Sequence, residues 1–223
     1  MKKISFFFSL LLLSIPVFSQ EEVKLKNGRT IIVNPEGTWK YKQDNSGNNT
    51  FVDSRDGHVY KTVVIGTQTW MAENLAYKAN GGCWAYDNKP SNIVKYGYLY
   101  NWETAKAACP PGWHIPSVSE WETLVKTLGG SAVAGGKMKA TGTTHWNKPN
   151  NGATNKSGFT ALPGGTYNTE DGFSSIGTAG NWWSSTSYMA TTAKIWYVVY
   201  NYPGVYDIAD SDTFGYSVRC IKD

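Results

Sequence analysis

The segment CPPGWHIPSVSEWETLVKTLGG, residues Cys109 to Gly130, carries the clearest local structural signals in the chain. Within it, Ser117 and Glu120 have the S-x-x-E spacing of a helix capping box, in which each side chain binds the other residue's backbone N–H. Apolar residues then follow at helical spacing, and these are Trp121, Leu124, Val125 and Leu128. The glycine pair that closes the segment ends the helix. The segment therefore predicts a capped amphipathic helix with one face packed against another layer of structure.

The N-terminus is organised like a secretory signal peptide. Two lysines precede an uncharged apolar run over residues 4–18, and Ser19 supplies a small residue where a signal peptidase cleaves. The run is too short to span a bilayer. We therefore predict cleavage after Ser19, giving an exported chain that begins at Gln20 and has no membrane span. A buried N-terminal helix is the alternative.

Composition narrows the classes of partner. The formal net charge is +4 over 223 residues and falls to +2 when Lys2 and Lys3 are removed, and the remaining basic residues are scattered. A scattered, weakly positive charge argues against a nucleic-acid partner. The chain also contains ten tryptophans and fourteen tyrosines. Aromatic rings in such number either fill a core that is rich in loops or offer stacking faces to a ligand.

A change in composition separates a small N-terminal region from the main domain. Residues 20–42 alternate in polarity around Asn27-Gly28, a two-residue hairpin signal, and a second turn follows, which predicts a three-stranded β-meander. Residues 43–50 are polar and lack periodicity, so we interpret them as a linker. The main domain then covers residues 51–223.

The main domain is predicted to place helices early and strands late. One helix is expected from Tyr100 to Ala108, the capped helix follows Ser117, and no helical signal is found after Gly130. Candidate strands in the second half cover residues 195–200, 205–208 and 216–221. Two helices and a twisted antiparallel sheet predict a loop-rich α+β fold.

Five sequence blocks carry a family resemblance from about Asp56 to the C-terminus. They are IGTQTWMAENL (65–75), YGYLYNWETAKAACPPGWHIPSVSEW (96–121), ALPGG (161–165), WWSST (182–186) and GYSVRCIKD (215–223). In content and order they resemble the Fibrobacter succinogenes major paralogous domain family and, more distantly, formylglycine-generating-enzyme-like domains. The resemblance implies a C-type-lectin-like fold in an exported protein.

The three cysteines of an exported chain leave one pair and one remainder. C-type-lectin-like folds commonly link the first helix to the final strand by a disulfide, so the resemblance implies a bond between Cys109 and Cys220. Cys83 would then be free or available for an intermolecular bond. A bond between Cys83 and Cys109 remains open as the alternative.

The sequence offers little support for catalysis. Formylglycine-generating enzymes bind copper through two closely spaced cysteines near the end of the domain, and this chain has only Cys220 there. A Gly-x-Ser-x-Gly elbow and a His-Glu-x-x-His motif are both absent. The histidines lack metal-ligand spacing and are His58, His114 and His145. A remote carboxylate pair of the glycosidase type stays open. We nevertheless predict that the protein is not an enzyme.

An acidic cluster is a candidate metal site. Asp207, Asp210 and Asp212 place three carboxylates within six residues of a predicted loop, and calcium prefers clustered hard oxygen ligands. The spacing differs from that of an EF-hand, and the Glu-Pro-Asn and Trp-Asn-Asp elements of calcium-dependent sugar-binding lectins are absent. Calcium is therefore the one candidate cofactor, and a solvated polar turn is the alternative.

The WWSST block is the candidate ligand site. Adjacent residues on a strand point to opposite faces, so one of Trp182 and Trp183 is expected to face outward. With Asn181, Tyr188 and Tyr202 nearby, an outward indole would stack against a sugar ring or an aromatic side chain. The alternative is that both rings are core. We predict a non-enzymatic recognition module at the cell surface that binds a glycan or a surface protein, with a structural or assembly role as the alternative.

Overall fold

The computed structural model describes residues 21–25, 30–41 and 49–223. The predicted signal peptide, the Asn27-Gly28 turn and most of the predicted linker lie outside the described residues. By its internal contacts the chain divides into two compact units, residues 1–42 and residues 43–223. In the described ranges, no helix has both the length and the apolar character needed to cross a membrane.

The first unit contains the predicted antiparallel meander. Its strands are β1 (Glu21–Lys24), β2 (Thr30–Val33) and β3 (Trp39–Tyr41), and β2 lies in the middle. The second predicted turn is present, because Gly37 donates its backbone N–H to Asn34 O at 2.9 Å. Gly37 has a φ of +83°, a left-handed conformation that glycine adopts without steric cost.

The second unit is an α+β structure, as predicted. Its described helices are α1 (Pro90–Tyr96), α2 (Trp102–Lys106), α3 (Val118–Thr127) and α4 (Ser131–Met138), with a short 3₁₀ turn at Tyr86–Asn88. The strands of the first half are β4 (Thr50–Val52), β5 (Val59–Ile65), β6 (Gln68–Met71), β7 (Cys83–Trp84), β8 (Leu99–Tyr100) and β9 (Trp113–His114). Those of the second half are β10 (Gly164–Asn168), β11 (Gly172–Ile176), β12 (Ala179–Met189), β13 (Thr192–Val199), β14 (Tyr206–Ser211), β15 (Tyr216–Ser217) and β16 (Ile221–Lys222).

These strands form two main sheets and a separate β10–β11 hairpin, where one sheet had been predicted. The six-stranded sheet has the order β14-β13-β12-β15-β8-β7, and the five-stranded sheet has the order β4-β5-β6-β16-β9. The strand predicted over residues 216–221 is therefore divided between them. Trp182 of β12 pairs with Ser217 of β15 in parallel, so the six-stranded sheet is mixed.

Helix α3 begins as predicted. Glu120 donates its backbone N–H to Ser117 Oγ at 3.3 Å, and Ser117 donates its backbone N–H to Glu120 Oε2 at 2.8 Å. Both halves of the capping box are therefore present. The box fixes where α3 starts and hence which of its faces meets the six-stranded sheet.

Trp121 is the centre of the first core. Its side chain is fully buried, and its ring lies 5.0 Å from that of Trp70 and 5.9 Å from that of Trp196 between centroids. From its position in the same sequence block, Trp113 or Trp102 is the expected partner of Trp121, and this expectation is wrong. Both belong to the second core, on the other side of the six-stranded sheet.

Helix α4 was not predicted, and the expectation that helical signal ends at Gly130 is wrong. The glycines inside α4 allow close packing: a Cβ on Gly135 would lie 2.0 Å from the carbonyl oxygen of Gly204. The same residues that weaken the helical pattern in the sequence are thus required by the packing. Helix α1 was also missed, and α2 is shorter than the predicted range 100–108.

Three of the family-like blocks meet at a buried polar cluster. Asn74 Oδ1 accepts hydrogen bonds from Arg219 Nη2 at 2.6 Å and from Trp182 Nε1 at 2.9 Å. Arg219 is fully buried, and its guanidinium also donates to the backbone carbonyl oxygens of Met71 and Phe159. The buried charge is thereby surrounded by acceptors, so these blocks maintain the fold.

The disulfide joins Cys109 and Cys220, as the resemblance implied, with a Cα–Cα distance of 5.9 Å. It closes a loop with a sequence separation of 111 residues, and in the chain-entropy model such a crosslink stabilises by about 4–5 kcal/mol. Cys83 is the free cysteine of the described chain, so the alternative pairing is wrong.

Candidate functional site

The tryptophan pair of the WWSST block lies in the interior. Trp182 and Trp183 are both fully buried, and Trp183 Nε1 donates to the backbone carbonyl oxygen of Tyr100 at 2.6 Å. The prediction that one ring faces outward is wrong. The two rings do point to opposite faces of β12, but each face is covered, because Trp182 belongs to the first core and Trp183 to the second. The alternative that both are core is confirmed.

The other predicted ligand residues divide into two groups. Asn181 is buried beside the two tryptophans, and its Nδ2 donates to Gly165 O at 3.5 Å. Tyr188 and Tyr202 are exposed, with 56% and 45% of their surfaces accessible. A ligand can therefore reach the two tyrosines but not Trp182 or Trp183.

The acidic cluster does not form the predicted loop. Asp207 and Asp210 lie on strand β14, three positions apart, so their side chains point to opposite faces. Asp207 forms an ion pair with Lys194 at 2.7 Å, whereas Asp210 accepts a hydrogen bond from the Tyr216 hydroxyl at 2.5 Å. Asp212 follows the end of the strand. In residues 21–25, 30–41 and 49–223, no group of three or more His, Cys, Asp or Glu side chains could hold a metal ion.

Asp207 instead contributes to a cleft of about 590 Å³ between helix α3 and strand β14. Its helix-side wall is formed by Glu122, Val125, Lys126, Gly129, Gly130 and Ser131. Its strand-side wall is formed by Val205, Tyr206 and Asp207, and Trp196 of β13 also lines it. The cleft thus combines apolar and aromatic side chains with a few charged groups, the usual composition of a binding site.

A row of stacked tyrosines leads away from the cleft. The ring of Tyr206 lies 5.4 Å from that of Tyr197 and 5.6 Å from that of Tyr202, and both pairs have an interplanar angle of 29°. We call these three residues the tyrosine row. Since Tyr206 also lines the cleft, the predicted ligand residue Tyr202 lies one ring away from it.

Tyr188 is connected to the strand-side wall of the cleft through Lys194. Lys194 Nζ is 5.1 Å from the centroid of the Tyr188 ring and 2.7 Å from Asp207 Oδ2. The exposed ring is therefore connected through one lysine to the strand-side wall of the cleft. Two of the five predicted ligand residues, Tyr188 and Tyr202, flank the cleft.

A buried lysine fixes the loop that carries Tyr202. Lys139 Nζ donates to three backbone carbonyl oxygens, those of Asn151 and Val199 at 2.8 Å and that of Tyr202 at 2.9 Å. Burial lowers the pKa of Lys139 to about 8. We call residues 200–205 the tyrosine loop. The buried ammonium group of Lys139 binds the backbone of this loop at Tyr202 O.

Backbone contacts with helix α4 hold the same loop from the side. Gly136 donates its N–H to Pro203 O at 2.7 Å, and Val205 donates its N–H to Ser131 O at 2.8 Å. Asn151 Nδ2 also donates to Asn201 O at 2.9 Å. With its carbonyl and amide groups engaged in this way, the loop presents Tyr202 and Tyr206 on a fixed backbone, which lowers the ordering cost of binding.

His114 has a structural environment. Its Nε2 lies 2.9 Å from Glu120 Oε1 and its Nδ1 lies 2.6 Å from Asp223 Oδ1. Burial opposes its protonation, but the hydrogen bonds to Asp223 and Glu120 outweigh that effect and raise the pKa of His114. The imidazole thus links the capping box of α3 to the end of the chain.

Sequence reasoning missed Tyr206, Trp196 and Lys126 as site residues. Tyr206 could have been found, because it lies four residues after Tyr202 and within the strand predicted over residues 205–208. Trp196 and Lys126 belong to elements far apart in the sequence, and only the packing of α3 on the sheet brings them to one cleft.

Comparison with known families gives one match. The model of the Fibrobacter succinogenes major domain matches residues 63–222, most of the chain. Neither the curated proteins nor the solved structures give a significant match.

Proposed function

The chain belongs to the Fibrobacter succinogenes major domain family, and from this premise we propose that it is an exported, non-catalytic module that binds a glycan or a surface protein. One observation carries the proposal: the rings of Tyr202 and Tyr206 are exposed beside a cleft, and a buried lysine and helix α4 hold the loop that leads from one ring to the other. Tyrosine combines a flat apolar ring with a polar hydroxyl, so it can stack on a sugar or pack on a side chain while its hydroxyl hydrogen-bonds.

Export is supported by the disulfide between Cys109 and Cys220, because disulfides persist in oxidising compartments and are rare in reducing ones. The apolar run over residues 4–18 supplies the secretion signal in this proposal. The same disulfide supports a C-type-lectin-like fold, since it joins the segment after α2 to the segment before the last strand.

A non-catalytic role is supported by the partners of two titratable residues, Asp207 in the cleft and His114 at the start of α3. Asp207 is paired with Lys194, and the only histidine between two carboxylates, among the described residues, links α3 to the end of the chain. A general acid or base requires a group that is free to exchange a proton with a substrate. The groups present are better suited to orienting a ligand.

A structural or assembly role is the second candidate. It is favoured by the position of β14 at the edge of the six-stranded sheet, because an outer strand can pair with another chain. A concentration-dependent dimer in sedimentation experiments would support this role.

The proposal is tested by probing residues 20–223 against a glycan array and an array of surface proteins. The double variant Tyr202→Ala, Tyr206→Ala should remain folded and should lose binding by about tenfold or more, since two stacking rings are removed. Val94→Ser is the matched control, because Val94 is 87% exposed on α1 and does not line the cleft. Equal binding by the double variant and the control would contradict the proposal, as would the absence of any ligand on both arrays.

A further inference from the structure

The edge of strand β14 has backbone groups that point away from the sheet. β14 pairs with β13 on one side only, over Tyr206 to Ser211. In an antiparallel pair, residues along a strand alternately direct their N–H and C=O groups toward and away from the partner strand. The direction of the groups in β14 can therefore be assigned from the bonds at its two ends.

Both ends give the same assignment. After the strand, Asp212 donates its N–H to Thr191 O, on the β13 side. Before the strand, Val205 donates its N–H to Ser131 O, on the side of helix α4. Even-numbered residues therefore point toward β13, and Asp207 and Ala209 point outward. In the described part of the chain, neither outward residue has a backbone hydrogen bond on that side.

The cleft lies along this open edge. Three consecutive residues of the strand side, Val205, Tyr206 and Asp207, line it. Side chains alternate between the two faces of a strand, so a run of three lining residues indicates that the cleft borders the outer edge as well as one face. The opposite wall is the C-terminal half of α3, and Trp196 contributes an aromatic ring between the two walls.

We propose that this edge binds an extended, basic polypeptide segment of a partner protein, which adds a strand to the sheet beside β14. The proposal rests on the proposed recognition function and names the class of its ligand. The outward N–H and C=O groups of Asp207 and Ala209 pair with the backbone of the segment, and an apolar side chain of the segment enters the cleft against Trp196.

Charge favours a basic segment over a second copy of this chain. Strand β14 has the sequence YDIADS, with two carboxylates and no basic residue. Pairing two copies of this strand would bring like charges together, whereas Lys or Arg in the partner would meet Asp210 on one face and, beside its ion pair with Lys194, Asp207 on the other. On the facing wall Glu122 adds a carboxylate and Lys126 adds an ammonium group, so these two charges balance and the acidic excess is that of the strand.

The test selects ten-residue peptides from a phage-displayed random library on residues 20–223 and measures their Kd on two variants. Ala209→Pro removes the outward N–H, a change that an edge strand accommodates, and Ala209→Ser keeps it as the matched control. The selected peptides should be rich in Lys or Arg, and their Kd should be at least about tenfold weaker for Ala209→Pro than for Ala209→Ser. N-methylation of alternate peptide amides, which leaves the protein unchanged, should abolish binding.

The outcomes separate this inference from the recognition function on which it rests. If no peptide is selected, or if peptides bind Ala209→Pro and Ala209→Ser equally and tolerate N-methylation, the inference is overturned. If the glycan array gives a ligand that depends on Tyr202 and Tyr206, the recognition function stands and the polypeptide assignment is wrong. A dimer of this chain that Ala209→Pro dissociates would make a second copy the occupant and would likewise overturn the inference.

Discussion

Lys139 donates a hydrogen bond from its buried ammonium group to the carbonyl oxygen of Tyr202, at 2.9 Å. The contact connects the core directly to the exposed tyrosine row, because the same ammonium also holds Val199 O at the end of β13. A buried cation is tolerated only when acceptors replace its water. Here one of the three acceptors, Tyr202 O, belongs to the loop that the proposed function requires to be rigid, and the other two belong to the segments of Asn151 and Val199.

Replacing Lys139 by Met should therefore loosen the tyrosine loop. The variant leaves the carbonyl oxygens of Asn151, Val199 and Tyr202 without the donor that Lys139 supplies, so the free energy of unfolding should fall by about 3 kcal/mol. Lys137→Met is the control, because Lys137 Nζ donates to only one carbonyl, that of Leu128. Urea unfolding monitored by circular dichroism measures both. Equal losses of unfolding free energy in Lys139→Met and Lys137→Met would contradict a special role for Lys139.

Trp121→Ala should cost about 3–5 kcal/mol of unfolding free energy, because it opens a cavity where several aromatic rings meet. Thr123→Ala, on the exposed face of α3, should change stability by less than about 0.5 kcal/mol. Thermal unfolding of the two variants gives the comparison. If the Trp121→Ala protein is soluble and has the same melting temperature as the wild type, the assignment of this ring to the core is wrong.

Ser117→Ala should destabilise the domain by about 1 kcal/mol, because α3 loses the hydroxyl that accepts the Glu120 N–H. Thr123→Ala is the control, since it removes a hydroxyl from the same helix that does not cap it, whereas the Ser119 hydroxyl contacts that of Ser117 at 3.0 Å. The denaturant midpoints of the two variants, measured under the same conditions, show whether the capping hydroxyl contributes more to stability than the control hydroxyl. No difference between the two variants would mean that the cap does not contribute.

Stability should fall as pH rises through the titration of His114. Its folded pKa is raised above the value of about 6.5 in an unfolded chain. Between these two values the folded state keeps a proton that the unfolded state has lost, so the stabilisation is complete below about pH 6.5 and is lost above the folded pKa.

The measurement is the free energy of unfolding of the wild type and two variants over this pH interval. In His114→Gln the free energy of unfolding should no longer decline with rising pH. In His58→Gln, which alters an exposed histidine elsewhere, the decline should remain. A decline of the same slope in His114→Gln would assign the pH dependence to another group.

The fold was predictable where a local pattern determines the structure. The capping box of Ser117 and Glu120 has a fixed spacing, so the start of α3 could be located from the sequence. Helix α4 was missed because Gly135 and Gly136 disfavour a helix locally, and the reason for them is the close approach of the tyrosine loop. That approach is a tertiary contact, which no window of the sequence contains.

The site was predictable only in part, for a related reason. Alternation along β12 correctly places Trp182 and Trp183 on opposite faces, but it does not reveal that a core covers each face. Tyr188 and Tyr202 were predicted as polar-tipped neighbours of the WWSST block, and both are exposed. Their relation to Lys126 and Trp196 depends on how α3 packs on the sheet.

The central claim is that the ligand binds between α3 and β14, and amide hydrogen exchange with and without a ligand selected from the arrays tests it most directly. The account predicts slower exchange over two segments, residues 126–130 of the helix side and residues 205–209 of the strand side, with little change in the β10–β11 hairpin. Protection confined to the β10–β11 hairpin or to α1, with no change in residues 205–209, would contradict it.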